Sequence, residues 1–233
     1  MEKLIAAVAV AGSAALLAAG PGTRLGWWDF RTGFGVLRWS AYLGFGSAAA
    51  AFLRSSWRSR QNDGPSPPLA FAALAGLAVG LVPWAVMRSA KKAPPIHDLT
   101  TDVKDPPEFK AILVLRKDAP NPPEYGGPDV AAQQAAAYPD LATAKLDAAP
   151  AQAFERAVAA AKALGWELVE EAPKAGRLEA TATTLWFGFK DDVVVRVRKD
   201  VSGSLVDVRS VSRVGKGDAG ANAKRIRAFL KRL

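Results

Sequence analysis

Apolar residues fall in three long uncharged runs before residue 93 and in short alternating runs after it. The first run, residues 4–23, is mostly Ala, Leu, Val and Ile, and as a helix it reaches about 30 Å, the thickness of a bilayer core. It predicts an uncleaved membrane helix rather than a signal sequence, because the run is longer than an ordinary signal core. A second helix is expected over 33–53. Its strictly uncharged part, 39–53, is short, and Arg38 extends it by snorkelling, with its stem in the apolar layer and its guanidinium at the interface. The third helix, over 69–87, follows Pro65, Pro67 and Pro68 and carries Pro83 near its end. Trp27, Trp28, Trp39, Trp57 and Trp84 lie near the ends of these runs, where an amphipathic ring is favoured at headgroup level.

After Pro94 and Pro95 the string IHDLTTDVKDPPEF is too polar and proline-interrupted for a helix and reads as an extended tether. Residues 111–115 read as one short strand, followed by a proline- and glycine-rich loop and a short helix over 130–138. Past Pro150, the residues Phe154, Val158, Ala161 and Leu164 share one helical face, and Gly165 ends that helix. The period then falls to two. Strands are expected from Trp166, Leu168 and Val169 onward, then over 177–189, 193–199 and 204–214, with turns at 173–176, 190–192 and 200–203. A last helix, 218–232, is N-capped by Asp218 and carries Ala223, Ile226 and Phe229 on its apolar stripe. Strands joined by short turns run antiparallel. The expected fold class is therefore α+β: N-terminal transmembrane helices, then an antiparallel β-meander with helices packed on one face. Alternation turns Leu178, Ala180, Ala182, Val193, Val195, Val197, Val206, Val208, Ser210 and Ser212 towards those helices and leaves the opposite, charged face open.

Composition changes the picture in two ways. The 233 residues carry a net charge of +9, yet residues 1–93 hold 10 basic against 3 acidic side chains while 94–233 hold 21 against 19. That excludes a uniformly basic nucleic-acid binder and divides the chain into a membrane region, 1–93, and a carboxyl-terminal domain, 94–233. The absence of cysteine excludes disulfides, thiolate metal sites and thiol catalysis, and a single histidine excludes most imidazole-based sites. Basic residues are nearly balanced between the two sides of the helices. Their raw count leans towards a cytoplasmic carboxyl-terminal domain, but Lys3 and the amino terminus set the first helix with its start inside, so three spans place the domain outside. Gly76 and Gly80 form a GxxxG pair, a face either for homo-oligomerisation or for packing among the chain's own helices.

Candidate chemistry is sparse. His97, Asp98 and Asp102 have the donor types for a divalent cation, but one imidazole with unpaired acids is better read as a solvated turn, so neither metal nor cofactor is expected. Asp191 and Asp192 are a carboxylate pair placed in the expected 190–192 turn. Ser210 and Ser212 are potential nucleophiles that face the core, far in sequence from His97, which makes a hydrolase of an envelope substrate the alternative reading. GKGDAG and GFG lack the context of phosphate loops. The strongest constellation is Arg196, Asp207, Arg209, Arg213, Asp218, Asn222 and Arg225, in a stretch where residues 201–233 carry 8 basic against 2 acidic side chains. It is either an Asp–Arg lattice joining sheet to helix or a site where guanidinium forks and helix N–H groups hold an anionic ligand or lipid headgroup. The expected partners are the bilayer and an anionic ligand or envelope protein, and not nucleic acid.

The strings TTLWFGFKDDVVVRV, VDVRSVSRVGKGDAGANAKRIRAF and HDLTTD resemble the DUF1499 family over residues 94–233, and GWWDFRTGF resembles the membrane part of bacterial relatives. The resemblance implies membrane attachment and an extracytoplasmic domain, which in a bacterial member means the inner membrane, crossed several times, and the periplasm. It implies no reaction, because the family has none established.

Overall fold

The computed structural model describes residues 1–233, Ser89 by its backbone alone. The chain forms two compact units, Met1–Ser89 with Leu185–Gly188, and Ala90–Thr184 with Phe189–Leu233.

The first unit is built on α1 (Glu2–Arg24), α2 (Phe30–Arg60) and α3 (Pro67–Ala90). By length and composition, α1 and α3 are apolar enough to cross a membrane. The second expected segment, 33–53, lies within α2, whose Asp29 cap accepts the N–H groups of Arg31 and Thr32 at 2.7 and 3.0 Å. Glu2 ties three helix ends together: its carboxylate accepts from Arg58 at 3.0 Å and from Ser66 at 2.7 Å. The start of α1, the end of α2 and the start of α3 therefore share one end of the unit. Gly76 and Gly80 face α2 of the same chain, since a Cβ on Gly76 would lie 2.5 Å from the Gly44 carbonyl oxygen and one on Gly44 would lie 2.8 Å from the Gly80 nitrogen. Ser40 and Ser47, buried in α2, return their hydroxyls to the carbonyls of Leu37 and Gly44 and leave no donor stranded. Leu185–Gly188 joins this unit through aromatic contact: the Trp186 indole fills the space beside Gly20, and Phe187 meets Phe34 at 5.0 Å between ring centroids.

The second unit is α+β and antiparallel throughout. It contains β1 (Asp98–Thr100), a 3-10 turn (Ala111–Arg116), α4 (Gly127–Ala137), β2 (Ala144–Leu146), α5 (Pro150–Ala163), β3 (Glu167–Ala172), β4 (Arg177–Thr183), β5 (Lys190–Asp200), β6 (Gly203–Ser212) and α6 (Ala221–Leu230). The sheet runs β1-β6-β5-β4-β3, and β2 also pairs with β6. The inward parity is the expected one: Leu178, Ala180 and Ala182 of β4, Val193, Val195 and Val197 of β5, and Val206 and Val208 of β6 meet Phe154, Ala157 and Val158 of α5 and Ala223, Ile226 and Phe229 of α6. Trp166 stacks on Phe229 at 5.3 Å and seals the layer.

Several expectations need correction. Residues 111–115 form a 3-10 turn, not a strand, because the Glu179 carboxylate accepts the N–H groups of Lys110 (2.8 Å) and Ile112 (2.9 Å) and curls the segment around itself. The extended tether is in fact part of the sheet: Asp98–Thr100 is buried as β1, and the Gln134 amide both donates to the Thr100 carbonyl (2.7 Å) and accepts from its N–H (3.0 Å). The β4–β5 connection lies between Thr184 and Phe189, whose backbones close it at 2.8 Å, so Asp191 and Asp192 stand inside β5 and not in a turn. The last helix begins at Ala221, after Gly220 in the left-handed region, and Asp218 caps it from two residues outside. Finally, the charged face is not open. Phe109 and Ile112 pack there with Val194 and Val211 in a second small core.

Candidate functional site

The sheet's second face carries alternating acids and bases that a solvated surface would leave apart. Here the chain between Asp102 and Tyr125 lies over part of them. Under it, Arg209 forks onto Asp98 at 2.9 and 2.7 Å and donates onward to the carbonyls of Pro107 and Pro123. Arg213 forks onto Asp192 at 2.9 and 2.8 Å, and Thr181 donates to the same carboxylate. Arg116, with a side chain 1% exposed, adds an ion pair to Asp192 at 3.4 Å and donates to the carbonyls of Asn121 and Pro122. Its guanidinium and that of Arg209 both sit over the Phe109 ring, at 5.5 and 5.2 Å. Burial pulls the Arg116 guanidinium below its ordinary value, the Asp192 carboxylate counters this, and the neighbouring Arg209 and Arg213 add to the fall. Burial, aided by Asp98, pushes the Tyr125 phenol up to about 12.

A second cluster lies further along the same face. Asp207, fully buried, accepts from Thr143 (2.6 Å), Arg198 (2.7 Å) and Arg196 (3.2 Å), and both arginines also reach Asp102 and Asp105. Burial alone would raise the Asp102 carboxyl, but the N–H groups of Asp105 and Lys104 and the guanidinium groups of Arg196 and Arg198 together hold it below the ordinary range. A cleft of about 340 Å³ opens beside this cluster, lined among others by Asp105, Glu108, Lys110, Arg177 and Arg196.

A third cluster sits on the helix face. Asn222 donates to the His97 carbonyl and to Ser212, both at 3.0 Å, and accepts from Ser210 at 2.6 Å. Arg225 reaches Asp191, Ser210 and Asn222. Asp218 accepts the N–H groups of Gly220 (2.8 Å) and Asn222 (2.6 Å). Burial pushes its carboxyl above the ordinary range, those N–H groups pull it back, and the Asp191 carboxylate adds to the rise.

The seven residues singled out from sequence thus fall into three groups: Arg196 with Asp207; Arg209 and Arg213, each with its own acid; and Asp218, Asn222 and Arg225 across the sheet. Their ion-pair partners Asp98, Asp102, Asp191 and Asp192, and the cations Arg116 and Arg198, were missed as site members. Arg198 shares the parity of Arg196 and was within reach of the alternation argument. Arg116 lies in a loop, and no pattern marks it. Asp98 and Asp102, weighed above as metal donors with His97, each hold guanidinium groups instead, and among the described residues no group of three or more His, Cys, Asp or Glu is placed to hold a metal ion.

Two outcomes are expected. Replacing Arg209 and Arg213 together by Gln leaves Asp98 and Asp192 buried without their forks, a loss of about 3 kcal/mol or more. The full chain in detergent should then melt well below wild type by near-UV circular dichroism, and an unchanged melt would show that neither pair is structural. Asp218 has the opposite sense. Its folded carboxyl holds a proton more tightly than the unfolded one, so stability falls as pH rises from the ordinary Asp value through the folded value. Asp218→Asn keeps one acceptor and sets its amide NH2 against the second N–H group, a cost that does not vary with pH, so the trend is the readout: its melting temperature relative to wild type should rise as pH goes from below the ordinary Asp range to neutral. A difference that stays constant or falls over that range would contradict this.

The family profile described as a protein of unknown function, DUF1499, matches residues 98–233. No curated protein and no solved structure matches the chain. The matched stretch opens on the first residue of β1 and contains all six strands and all three ion-pair clusters, and it covers more than half of the sequence. The chain is a member of the DUF1499 family.

Proposed function

We propose that this protein is a bacterial inner-membrane protein that crosses the bilayer three times and presents its α+β unit in the periplasm as a binding module for a ligand with an anionic group. Support for three spans comes from Glu2. Because α1 and α3 start at the same end of the helical unit, an α1 and an α3 that both cross the bilayer require α2 to cross back between them. Arg38 is exposed, as a snorkelling side chain would be.

The observation that carries the binding reading is the cleft beside Arg196. Of the seven sequence candidates, Arg196 alone lines it, together with Arg177 and Lys110. Arg177 is braced by Glu170 and Glu179, and Arg196 by Asp102, Asp105 and Asp207, so neither guanidinium loses much freedom when a ligand arrives. Lys110 has no ion pair among the described residues and supplies the uncommitted positive charge. The hydrolase alternative finds less support, because Ser210 and Ser212 are held by Asn222 and Arg225 on the helix face, while the His97 imidazole turns to the Lys216 carbonyl at 3.4 Å.

Two measurements test this reading. Since the chain has no cysteine, a Lys231→Cys variant should react with a membrane-impermeant maleimide in intact spheroplasts; labelling only after lysis reverses the orientation. Native mass spectrometry of the full chain should retain an anionic adduct that Lys110→Glu loses with its melt unchanged. Equal retention by both proteins removes the cleft as the site.

A further inference from the structure

Three consecutive large apolar side chains of the 3-10 turn Ala111–Arg116 point into solvent: Leu113 is 41% exposed, Val114 74% and Leu115 54%. Isolated exposed apolar residues are ordinary, but a run of three is not, because water disfavours each and the fold gains nothing from them. The residues beside them do hold the turn. Ile112 is fully buried against Phe109, Val194 and Val211; Glu179 grips the N–H groups of Lys110 and Ile112; and Arg116 is locked to Asp192 and to the carbonyls of Asn121 and Pro122. The display is therefore rigid, set by buried partners on both sides of the exposed run. Exposed Lys110 stands three residues before the run and exposed Lys117 two residues after it, with the exposed acids Glu108 and Asp118 next beyond them.

We infer that Leu113, Val114 and Leu115, with Lys110 and Lys117, form a membrane-contact surface that enters the headgroup–acyl boundary of a bilayer containing anionic phospholipid. Two observations choose this occupant over a protein. Lys110 and Lys117 are nearer to the apolar tips in the chain than the acids Glu108 and Asp118, so the charges beside the tips complement an anionic surface and stay at headgroup level while the tips enter. Three side chains also offer far less than the roughly 800 Å² per partner of a specific protein interface. They suffice for a domain already tied to the bilayer, where the contact is intramolecular and the effective concentration is high. The inference rests on the reading of α1 and α3 as membrane spans; Lys110 also borders the Arg196 cleft, so the test alters neither Lys110 nor any other residue of that cleft.

The full chain is reconstituted into phosphatidylcholine vesicles with and without phosphatidylglycerol, carrying an environment-sensitive fluorophore on Val114→Cys or, as reference, on Val201→Cys, a position wholly exposed at 103% in the β5–β6 turn. Flotation with the vesicles reads the anchoring itself. With phosphatidylglycerol present, the label at 114 should lose most of its emission to a doxyl group on the acyl chains, whereas the label at 201 should be quenched only by aqueous iodide. The loss should be smaller without phosphatidylglycerol, and Leu113→Ser with Leu115→Ser should abolish it. A floating chain whose label at 114 responds to iodide as the one at 201 does overturns the contact surface alone. So does a label shielded from both quenchers, with the unlabelled Val114→Cys variant crosslinking between copies, which would assign the patch to a second copy of the chain. A chain that fails to float overturns both readings.

Discussion

A carboxylate taken out of water must keep a cation beside it or accept a proton. The α+β unit buries five of them: Asp98, Glu179, Asp191, Asp192 and Asp207. Each has an arginine in contact; four of the pairs join separate elements, and Glu179 pairs with Arg177 of its own strand. Asp98 with Arg209 binds β1 to β6, and Asp191 with Arg225 binds α6 to β5. Asp192 joins Arg213 to Arg116 of the 3-10 turn, while Asp207 draws in Arg196, which holds the chain at Asp102 and Asp105. Glu179 shapes the 3-10 turn from below. The hydrophobic layer between sheet and helices is built of apolar side chains without charges, whereas these ion pairs hold β1, the 3-10 turn and the chain at Asp102 and Asp105 in place. Buried pairs add little net stability compared with apolar replacements, so their effect here is to select one arrangement of loops over others that bury as much carbon.

This explains which parts of the fold were legible in the sequence. The helix-facing side of the sheet is written in an apolar alphabet of period two, and Val193, Val195 and Val197 announce it without help from the rest of the chain. The other side is written in charges, which read as solvent exposure until their partners are known. Asp192 and Arg213 are 21 residues apart, and Asp98 and Arg209 are 111 apart. No local pattern links them. The same blindness moved the β4–β5 turn onto Asp191 and Asp192, and it turned AILVL into a strand although its carboxylate anchor, Glu179, lies in another strand. The seven-residue constellation had the right parity for Arg196, Asp207, Arg209 and Arg213. It failed in joining them to Asn222 and Arg225, which neighbour Arg213 in sequence but stand across the sheet from it.

The helical unit obeys a different rule. Its close contact at Gly44, Gly76 and Gly80 depends on missing side chains rather than on paired charges, and its serines satisfy themselves along their own helix. Such packing does not need water to drive it. The charged fastening of Glu2 with Arg58 and Ser66 lies at the helix ends, where polar groups are cheapest to keep.

Gln134 has an effect beyond holding β1. A sheet edge normally offers a free N–H and a free carbonyl at alternate residues, and another extended chain reads these as an invitation to pair. By giving its amide oxygen to the Thr100 N–H and its amide nitrogen to the Thr100 carbonyl, Gln134 occupies that rung with a side chain that has no further rungs to extend. At the opposite edge, β3 breaks its register between Leu168 and Glu170 and carries Glu167, Glu170 and Glu171. Two such edges let a domain that meets its own copies do so without polymerising through either one.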